Sequence, residues 1–298
     1  MPQELRGVLP VLHTPYHDDY SIDYDTLGEE ADFAYEMGAD GIVFALASET
    51  LRLTQNERFA VAEYLGKRNA DRGSFTMSVG AESNVSAAQF ARQAESSGAS
   101  ALMAIPPLSV SLGEEALRGY YAAILGATTI PLVVQDASSY VGKPMSAEFQ
   151  TRLRLEFGAR VYFKPEAPPV GPVISALNAA TNGEAKIFEG SGGTMLAENY
   201  RRGITGTMPG TDLIDAIVAL WRALERGDDD KIYAISPLIG AILAMVHSLD
   251  GYLAIEKYLL YKRGVFKNRL VREPVGFTLD PPALAEIDRL YERLQAQL

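Results

Sequence analysis

Eight short β-rich runs follow one another through the first two thirds of the chain, most of them separated by stretches of helical spacing, and this alternation restricts the fold more than any other feature. The runs are Gly7 to Leu12, Gly41 to Leu46, Phe75 to Val79, Ala101 to Ile105, Pro131 to Gln135, Val161 to Lys164, Ala185 to Phe188 and Gly203 to Met208. Between them, Asp25 to Met37 sets Leu27, Phe33 and Met37 near one helical face, and Ser86 to Glu95 repeats the pattern. Both stretches stop at a Gly-Ala pair just before the next strand, Gly38-Ala39 and Gly98-Ala99. Such alternation requires parallel strands joined by helical crossovers, in a closed (β/α)8 barrel or an open doubly wound sheet. Eight strands within about 210 residues favour the barrel. An open sheet would carry a glycine-rich dinucleotide turn after its first strand, where this chain reads His13-Thr14-Pro15-Tyr16. The expected fold is therefore an α/β (β/α)8 TIM barrel.

After Gly210 the strands cease. Helical patterns at Ala216 to Leu224, Ile232 to Val246, Leu253 to Tyr261 and Pro282 to Gln295 follow, separated by Gly227-Asp228-Asp229-Asp230, Asp250-Gly251 and an irregular stretch around Pro274. The first of these helices closes the barrel, so the expected division is a barrel over 1–226 and a C-terminal helical extension over 227–298, with no linker flexible enough for an independent unit. Tyr252, Tyr258 and Tyr261 stand at packing distances along these helices and are read as core or subunit interface.

Composition excludes several chemistries. Cysteine is absent, which removes disulfides, thiol nucleophiles and sulfur-based zinc sites. A formal charge of −11, with no basic cluster beyond pairs such as Lys262-Arg263, argues against nucleic-acid partners and anionic membrane surfaces. No apolar stretch approaches the roughly 18 residues of a membrane span, and Met1-Pro2-Gln3-Glu4 lacks the order of a signal peptide, so a cytoplasmic location is expected. His13, His17 and His247 are scattered without metal-ligand spacing, and no metal is expected.

A barrel builds its site at the C-terminal ends of its strands. There the chain places Ala47-Ser48-Glu49 after strand two, Gln135-Asp136 at strand five, Lys164-Pro165-Glu166 at strand six and Glu189-Gly190-Ser191-Gly192-Gly193 at strand seven. Lys164 ends the apolar run Val161-Tyr162-Phe163, and a proline stops the strand at once. Burial near Tyr162 and Phe163 disfavours an ammonium ion, and a neutral amine attacks ketones to give an iminium electron sink. An organic cofactor is then unnecessary, and none is expected.

Over nearly its whole length the chain resembles the dihydrodipicolinate synthase and N-acetylneuraminate lyase family of Schiff-base aldolases. The resemblance is carried by Gly7-Val8-Leu9-Pro10 through Thr14-Pro15-Tyr16, Ser48-Glu49 with Leu53-Thr54 and Glu57-Arg58, Ile105-Pro106-Pro107, Ile130-Pro131-Leu132, Phe163-Lys164 and Glu189-Gly190. It implies a barrel with a helical extension, a homo-oligomer (tetramer or dimer), a small 2-keto acid as substrate, and Lys164 as the Schiff-base lysine. Departures narrow the chemistry. Ala45-Leu46-Ala47-Ser48-Glu49 replaces the family's Gly-Thr-Thr-Gly-Glu, Gln135 replaces its proton-shuttling tyrosine, Leu108-Ser109 replaces its tyrosine pair, and the place of its carboxylate-binding arginine falls on Tyr140. Glutamine can hydrogen-bond but cannot give up and take back a proton as tyrosine does, which argues against dihydrodipicolinate synthase activity.

Within the family, Val134-Gln135-Asp136-Ala137, Tyr162-Phe163-Lys164-Pro165-Glu166 and Thr205-Gly206-Thr207-Met208 are similar to runs of L-2-keto-3-deoxyarabonate dehydratases, although those keep a tyrosine where this chain has Leu108. The resemblance implies a lyase that removes water from a 2-keto-3-deoxy sugar acid to give a 2-oxoglutarate semialdehyde. An aldolase releasing pyruvate and an inactive keto-acid-binding protein are the competing readings. Glu166, two residues beyond Lys164 and so on its side of an extended strand, is the first candidate for proton transfer and Asp136 the second, while Gln135 is a candidate catalytic residue that would hydrogen-bond to the substrate or to Glu166. Ser48 and the neighbouring turn around Ala47 would bind the substrate carboxylate, while Glu49, Gly190, Ser191 and Thr207 are further candidate substrate contacts.

Overall fold

The computed structural model describes residues 5–245 and 248–298; Val246, at the end of one expected helix, and His247 lie outside the described residues, as does the start of the chain. Eight parallel strands form one sheet: β1 (Gly7–Val8), β2 (Gly41–Phe44), β3 (Ser74–Ser78), β4 (Ala101–Ala104), β5 (Leu132–Asp136), β6 (Val161–Pro165), β7 (Lys186–Glu189) and β8 (Gly206–Thr207). Neighbours in sequence are neighbours in space, and β8 pairs with β1. The ring closes between β1 and β2, where Val43 N–H donates to Pro10 O at 2.9 Å and Leu12 N–H to Val43 O at 2.8 Å. The expected TIM barrel is the observed fold.

Helices α1 (Tyr24–Glu36), α2 (Gln55–Asn69), α3 (Asn84–Ser96), α4 (Glu114–Ala127), α5 (Ala147–Phe157), α6 (Val170–Ala180), α7 (Leu196–Arg201) and α8 (Ile214–Arg226) follow successive strands. Their limits have local causes. Asp23, Ser83 and Ser146 accept N–H bonds at the starts of α1, α3 and α5, and Thr54 with Glu57 forms a reciprocal cap on α2. Gly38 and Gly98, each with φ of +96°, end α1 and α3 in the left-handed conformation that side chains resist.

Strand alternation sorts side chains into two layers. Leu9, Val11, Val43, Ala45, Met103, Val133, Tyr162, Phe188 and Met208 fill the barrel interior. Ile42, Phe44, Leu132, Val134, Val161 and Phe163 face outward into the larger core beneath the helices. Beyond the barrel lie α9 (Asp229–Leu243), α10 (Leu249–Lys262) and α11 (Pro281–Gln295). Ile235, Ile239, Ile255, Leu259 and Ile287 from these helices share one buried cluster with Val8 and with Ile217 and Leu220 of α8, so the three helices pack against the barrel at β1 and α8.

Candidate active site

The alternation that places Tyr162 inside the barrel puts Lys164 on the same side, and it continues through Pro165 to Glu166. Lys164 stands directly opposite Gln135 in the β5–β6 register. All three line a cavity of about 50 Å³ at the C-terminal mouth, shared with Ala45, Leu46, Ala47, Tyr140, Gly190, Tyr252 and Glu256. A water needs roughly 10–15 Å³ of such space, so the cavity holds a few water-sized groups, on the scale of a short keto acid. It adjoins a wider groove between Ser139, Pro168 to Pro172 and Ser191 to Glu198, and Tyr140, Glu166 and Tyr252 border both.

Lys164 is 4% exposed, and its Nζ lies 3.3 Å from Glu166 Oε1. Gln135 Nε2 donates to the other carboxyl oxygen of Glu166 at 2.6 Å. Asp136 O accepts from Glu166 N–H at 3.0 Å and Ser139 Oγ donates to Glu166 O, so the backbone beyond the proline is pinned and the carboxyl is aimed inward. Burial raises the pKa of Glu166, against the opposing pull of Lys164 and Gln135. Glu166 is thus a carboxyl group with a raised affinity for a proton beside a primary amine, the pairing that proton transfer at a keto-acid carbon needs. Burial and the charge of Glu166 also raise the pKa of the Tyr140 phenol. The rings of Tyr140 and Tyr252 meet edge to face at 5.5 Å.

Gly190 presses against this pair. A Cβ there would come within 2.6 Å of Lys164 Cε and 2.8 Å of Glu166, so only glycine leaves both side chains in place.

Four expected site residues, Asp136, Thr207, Ser48 and Glu49, are placed elsewhere. Gln135 faces the lumen, so Asp136 faces away from it; its oxygens accept from Ser138 N–H at 3.1 Å and Met145 N–H at 2.8 Å, and it organises the loop into α5. Thr207 precedes the inward Met208 and is likewise out of phase; its hydroxyl donates to buried Glu189 at 2.6 Å. Ser48 is fully buried in a single turn of 3-10 helix (Leu46–Ser48), accepts from Ala45 N–H at 3.0 Å and donates to Leu12 O. Glu49 adopts a left-handed conformation (φ 59°) that turns its carboxylate behind the turn, where it accepts from Lys257 Nζ at 2.5 Å and Arg272 N–H at 2.9 Å. Ser48 and Glu49 therefore build the turn, and Leu46 and Ala47 present it to the cavity. Ser191 borders the adjoining groove, with its hydroxyl donated to Glu189.

Tyr252 and Glu256 reach the cavity from α10, some 90 positions beyond Lys164, against the reading of Tyr252 as core or interface. The available signal was their i, i+4 spacing, which places them on one helical face together with Leu249. His13, one of the scattered histidines, is wholly buried; Nδ1 donates to Glu30 Oε1 at 2.8 Å and Nε2 to Glu256 Oε2 at 2.9 Å. Burial alone would lower its pKa, but the two carboxylates raise it to about 10, so it is an imidazolium at neutral pH. Among the described residues no cluster of His, Asp and Glu is arranged to hold a metal ion, and no helix is long and apolar enough to cross a membrane.

Residues 4–286 match the dihydrodipicolinate synthetase family. The chain belongs to this family. It is 28% identical to an L-2-keto-3-deoxyarabonate dehydratase of Azospirillum brasilense over 97% of this chain and 94% of that protein. It is 26% identical to a probable 2-dehydro-3-deoxy-D-pentonate aldolase of Escherichia coli, over 59% of each. Among solved structures, a dihydrodipicolinate synthase from Rhodopseudomonas palustris superposes with a TM-score of 0.88 at 26% identity, covering 97% of this chain and 98% of that one. This family member is accordingly a lyase on a shared barrel.

Proposed function

We propose that this lyase binds a 2-keto-3-deoxy sugar acid, similar to L-2-keto-3-deoxyarabonate, as a Schiff base on Lys164 and dehydrates it to a 2-oxoglutarate semialdehyde. The observation that carries this reading is the trio of Lys164, Glu166 and Gln135 at one cavity, with a carboxyl 3.3 Å from the amine and an amide where a phenol would stand. Lys164 Nζ attacks C2 of the keto acid and water leaves, giving the iminium. Glu166 accepts a C3 proton, and the electron pair left behind forms the enamine. That pair then expels the C4 hydroxyl, which takes a proton from Glu166 and leaves as water, because hydroxide itself is a poor leaving group. A proton shift from C5 to C3 leaves an enol at C4 and C5, the enol hydroxyl's proton passes to C4 to give the aldehyde, and hydrolysis of the imine frees Lys164.

Gln135 holds Glu166 in reach of both carbons and neither gains nor loses a proton. The substrate carboxylate is assigned to the turn at Leu46 and Ala47, whose N–H groups begin the 3-10 turn and have no acceptor within it. The relative named a dehydratase, matched along almost the full length of both chains, supports the same substrate class. A homo-oligomer, which the family resemblance implies, belongs to the same reading and is measured by light scattering.

The test is borohydride reduction after incubation with pyruvate or 2-keto-3-deoxyarabonate. The reduced ligand mass should appear on Lys164; no adduct with either would leave a binding protein without this chemistry. Aldol cleavage is the second reading, favoured by the phenols of Tyr140 and Tyr252 at the cavity. Product analysis separates the two: semialdehyde supports dehydration, and pyruvate plus an aldehyde supports cleavage.

A further inference from the structure

The cavity holds a second carboxylate that the steps above do not use. Glu256 comes from α10 of the C-terminal extension and is 5% exposed. One of its oxygens is tied to His13, which is itself tied to Glu30, and all three are buried. The other oxygen has no hydrogen-bond donor among the described residues, and Glu256 lines the same cavity as Lys164. That oxygen lies beside Gly210 at the loop following β8, where an added Cβ would approach both it and Oδ1 of buried Asp212 to 2.5 Å; burial and the charge of Glu256 raise the pKa of Asp212 to about 7, and of the two carboxyls Glu256 is the one that lines the cavity. The carboxylate thus enters the mouth from the β8–β1 side, away from the Gln135 and Lys164 pair on β5 and β6.

An ionised carboxylate only accepts hydrogen bonds, and it repels other anions in a desolvated cavity. Among the described lining residues Lys164 is the one cation; no arginine or second lysine is present. In the proposed chemistry Lys164 takes the keto carbon, the Leu46–Ala47 turn takes the single substrate carboxylate, and Glu166 serves C3 and C4. An unpaired acceptor then remains for whatever follows C4.

We propose that Glu256 is a specificity residue that accepts a hydrogen bond from a hydroxyl at the end of the substrate remote from the keto acid, and that its charge excludes keto acids with a second carboxylate or a phosphate there. This rests on the keto-acid reading and narrows it to neutral, hydroxylated tails. The His13–Glu30 pair serves as its support: it fixes one oxygen and leaves the other for the ligand.

Trapping with borohydride tests this in the unaltered protein and in Glu256→Gln, using pyruvate, 2-keto-3-deoxyarabonate and 2-oxoglutarate. In the unaltered protein pyruvate and the hydroxylated acid should be trapped on Lys164 and 2-oxoglutarate should not. Glu256→Gln should raise the half-saturating concentration of the hydroxylated acid relative to that of pyruvate by about tenfold, the difference between a charged and a neutral acceptor. It should also admit 2-oxoglutarate. Trapping of 2-oxoglutarate by the unaltered protein at concentrations similar to pyruvate would overturn the proposal even if the variant did not fold. An unchanged ratio in a folded variant would overturn it as well. Failure to trap pyruvate in the unaltered protein would instead remove the Schiff-base reading, and the specificity role with it.

Discussion

Two lysines are buried among the described residues, Lys164 in the barrel and Lys257 on α10 of the extension, and they are treated in opposite ways. Lys257 Nζ donates to Glu49 Oε1 at 2.5 Å, Thr14 O at 2.8 Å and Leu270 O at 2.6 Å, so each of its three protons has an acceptor. Burial lowers its pKa, and the charge of Glu49 works against that shift. Lys164 has one carboxylate neighbour at 3.3 Å and otherwise borders open space. Saturated contacts make Lys257 a fixed strut between the strand-two turn and the extension. Sparse contacts leave the Lys164 nitrogen free to form a bond with something else. Burial alone does not mark a reactive lysine; unmet hydrogen-bonding capacity inside a cavity does.

The contrast breaks most directly at Lys164 itself. Lys164→Met should reduce turnover to background and abolish the borohydride adduct, while changing stability by no more than about 1–2 kcal/mol, because the neighbouring Glu166 can take up a proton when its partner is lost. A mass spectrum after reduction and a denaturant titration report the two halves. Persistence of an adduct elsewhere on the chain would show that another amine is the nucleophile.

Glu166→Gln comes next and sharpens the role of the one neighbour Lys164 has. Turnover should fall by about 10²- to 10⁴-fold, the range for loss of a general acid–base group, while the trapped adduct forms as before. Rapid-quench product analysis would check this, and unchanged turnover would take Glu166 out of the proton steps.

The reverse outcome belongs to Lys257→Met. Removing it leaves buried Glu49 with Arg52, at 3.8 Å, as its one remaining ion-pair partner among the described residues, so stability should drop by about 3 kcal/mol. The folded fraction should still form the Lys164 adduct. If the variant were as stable as the parent, or folded and unable to be trapped, the division between strut and nucleophile would fail.

The last effect is a stability cost graded with pH, at the buried cluster of His13 with Glu30 and Glu256. His13 has its pKa raised to about 10 in the fold, so its ion pairs with Glu30 and Glu256 add stability that is complete below the ordinary histidine value of about 6.5 and fades as pH rises toward 10. His13→Gln should therefore cost roughly 3–5 kcal/mol near pH 6 and progressively less as pH rises from about 6.5 toward 10, measured by chemical denaturation across that range. A cost independent of pH would mean that His13 acts through packing alone.

Reading the residues reaches the β5–β6 side of the site and falters on the other. Lys164 and Glu166 are two apart on a strand, and side-chain direction along a strand has period two, so their shared face is written in the chain. Gln135 is at a strand end of the same kind, and parallel pairing brings it opposite Lys164. The same period carries Asp136 and Thr207 out of the cavity, but its phase in β5 and β8 depends on which residues fill the barrel interior, and Val133 and Met208 settle that only in the folded ring. Ser48 and Glu49 have the chemistry of ligand contacts. Their hydrogen-bonding capacity is spent on Leu12, Lys257 and Arg272, residues far away in sequence.

By itself the sequence determined the barrel and the shared face of Lys164 and Glu166, because local periodicity and strand alternation are short-range properties; the Schiff-base role of Lys164 is what the family resemblance implies. Only the tertiary structure decided that α10 delivers Tyr252 and Glu256 to the same cavity, that buried His13 anchors Glu256, and that Lys257 has its three protons matched to acceptors where Lys164 borders the cavity. Those outcomes depend on which distant donors and acceptors meet at the mouth, and burial makes each unmet one costly enough to shape what the site can bind.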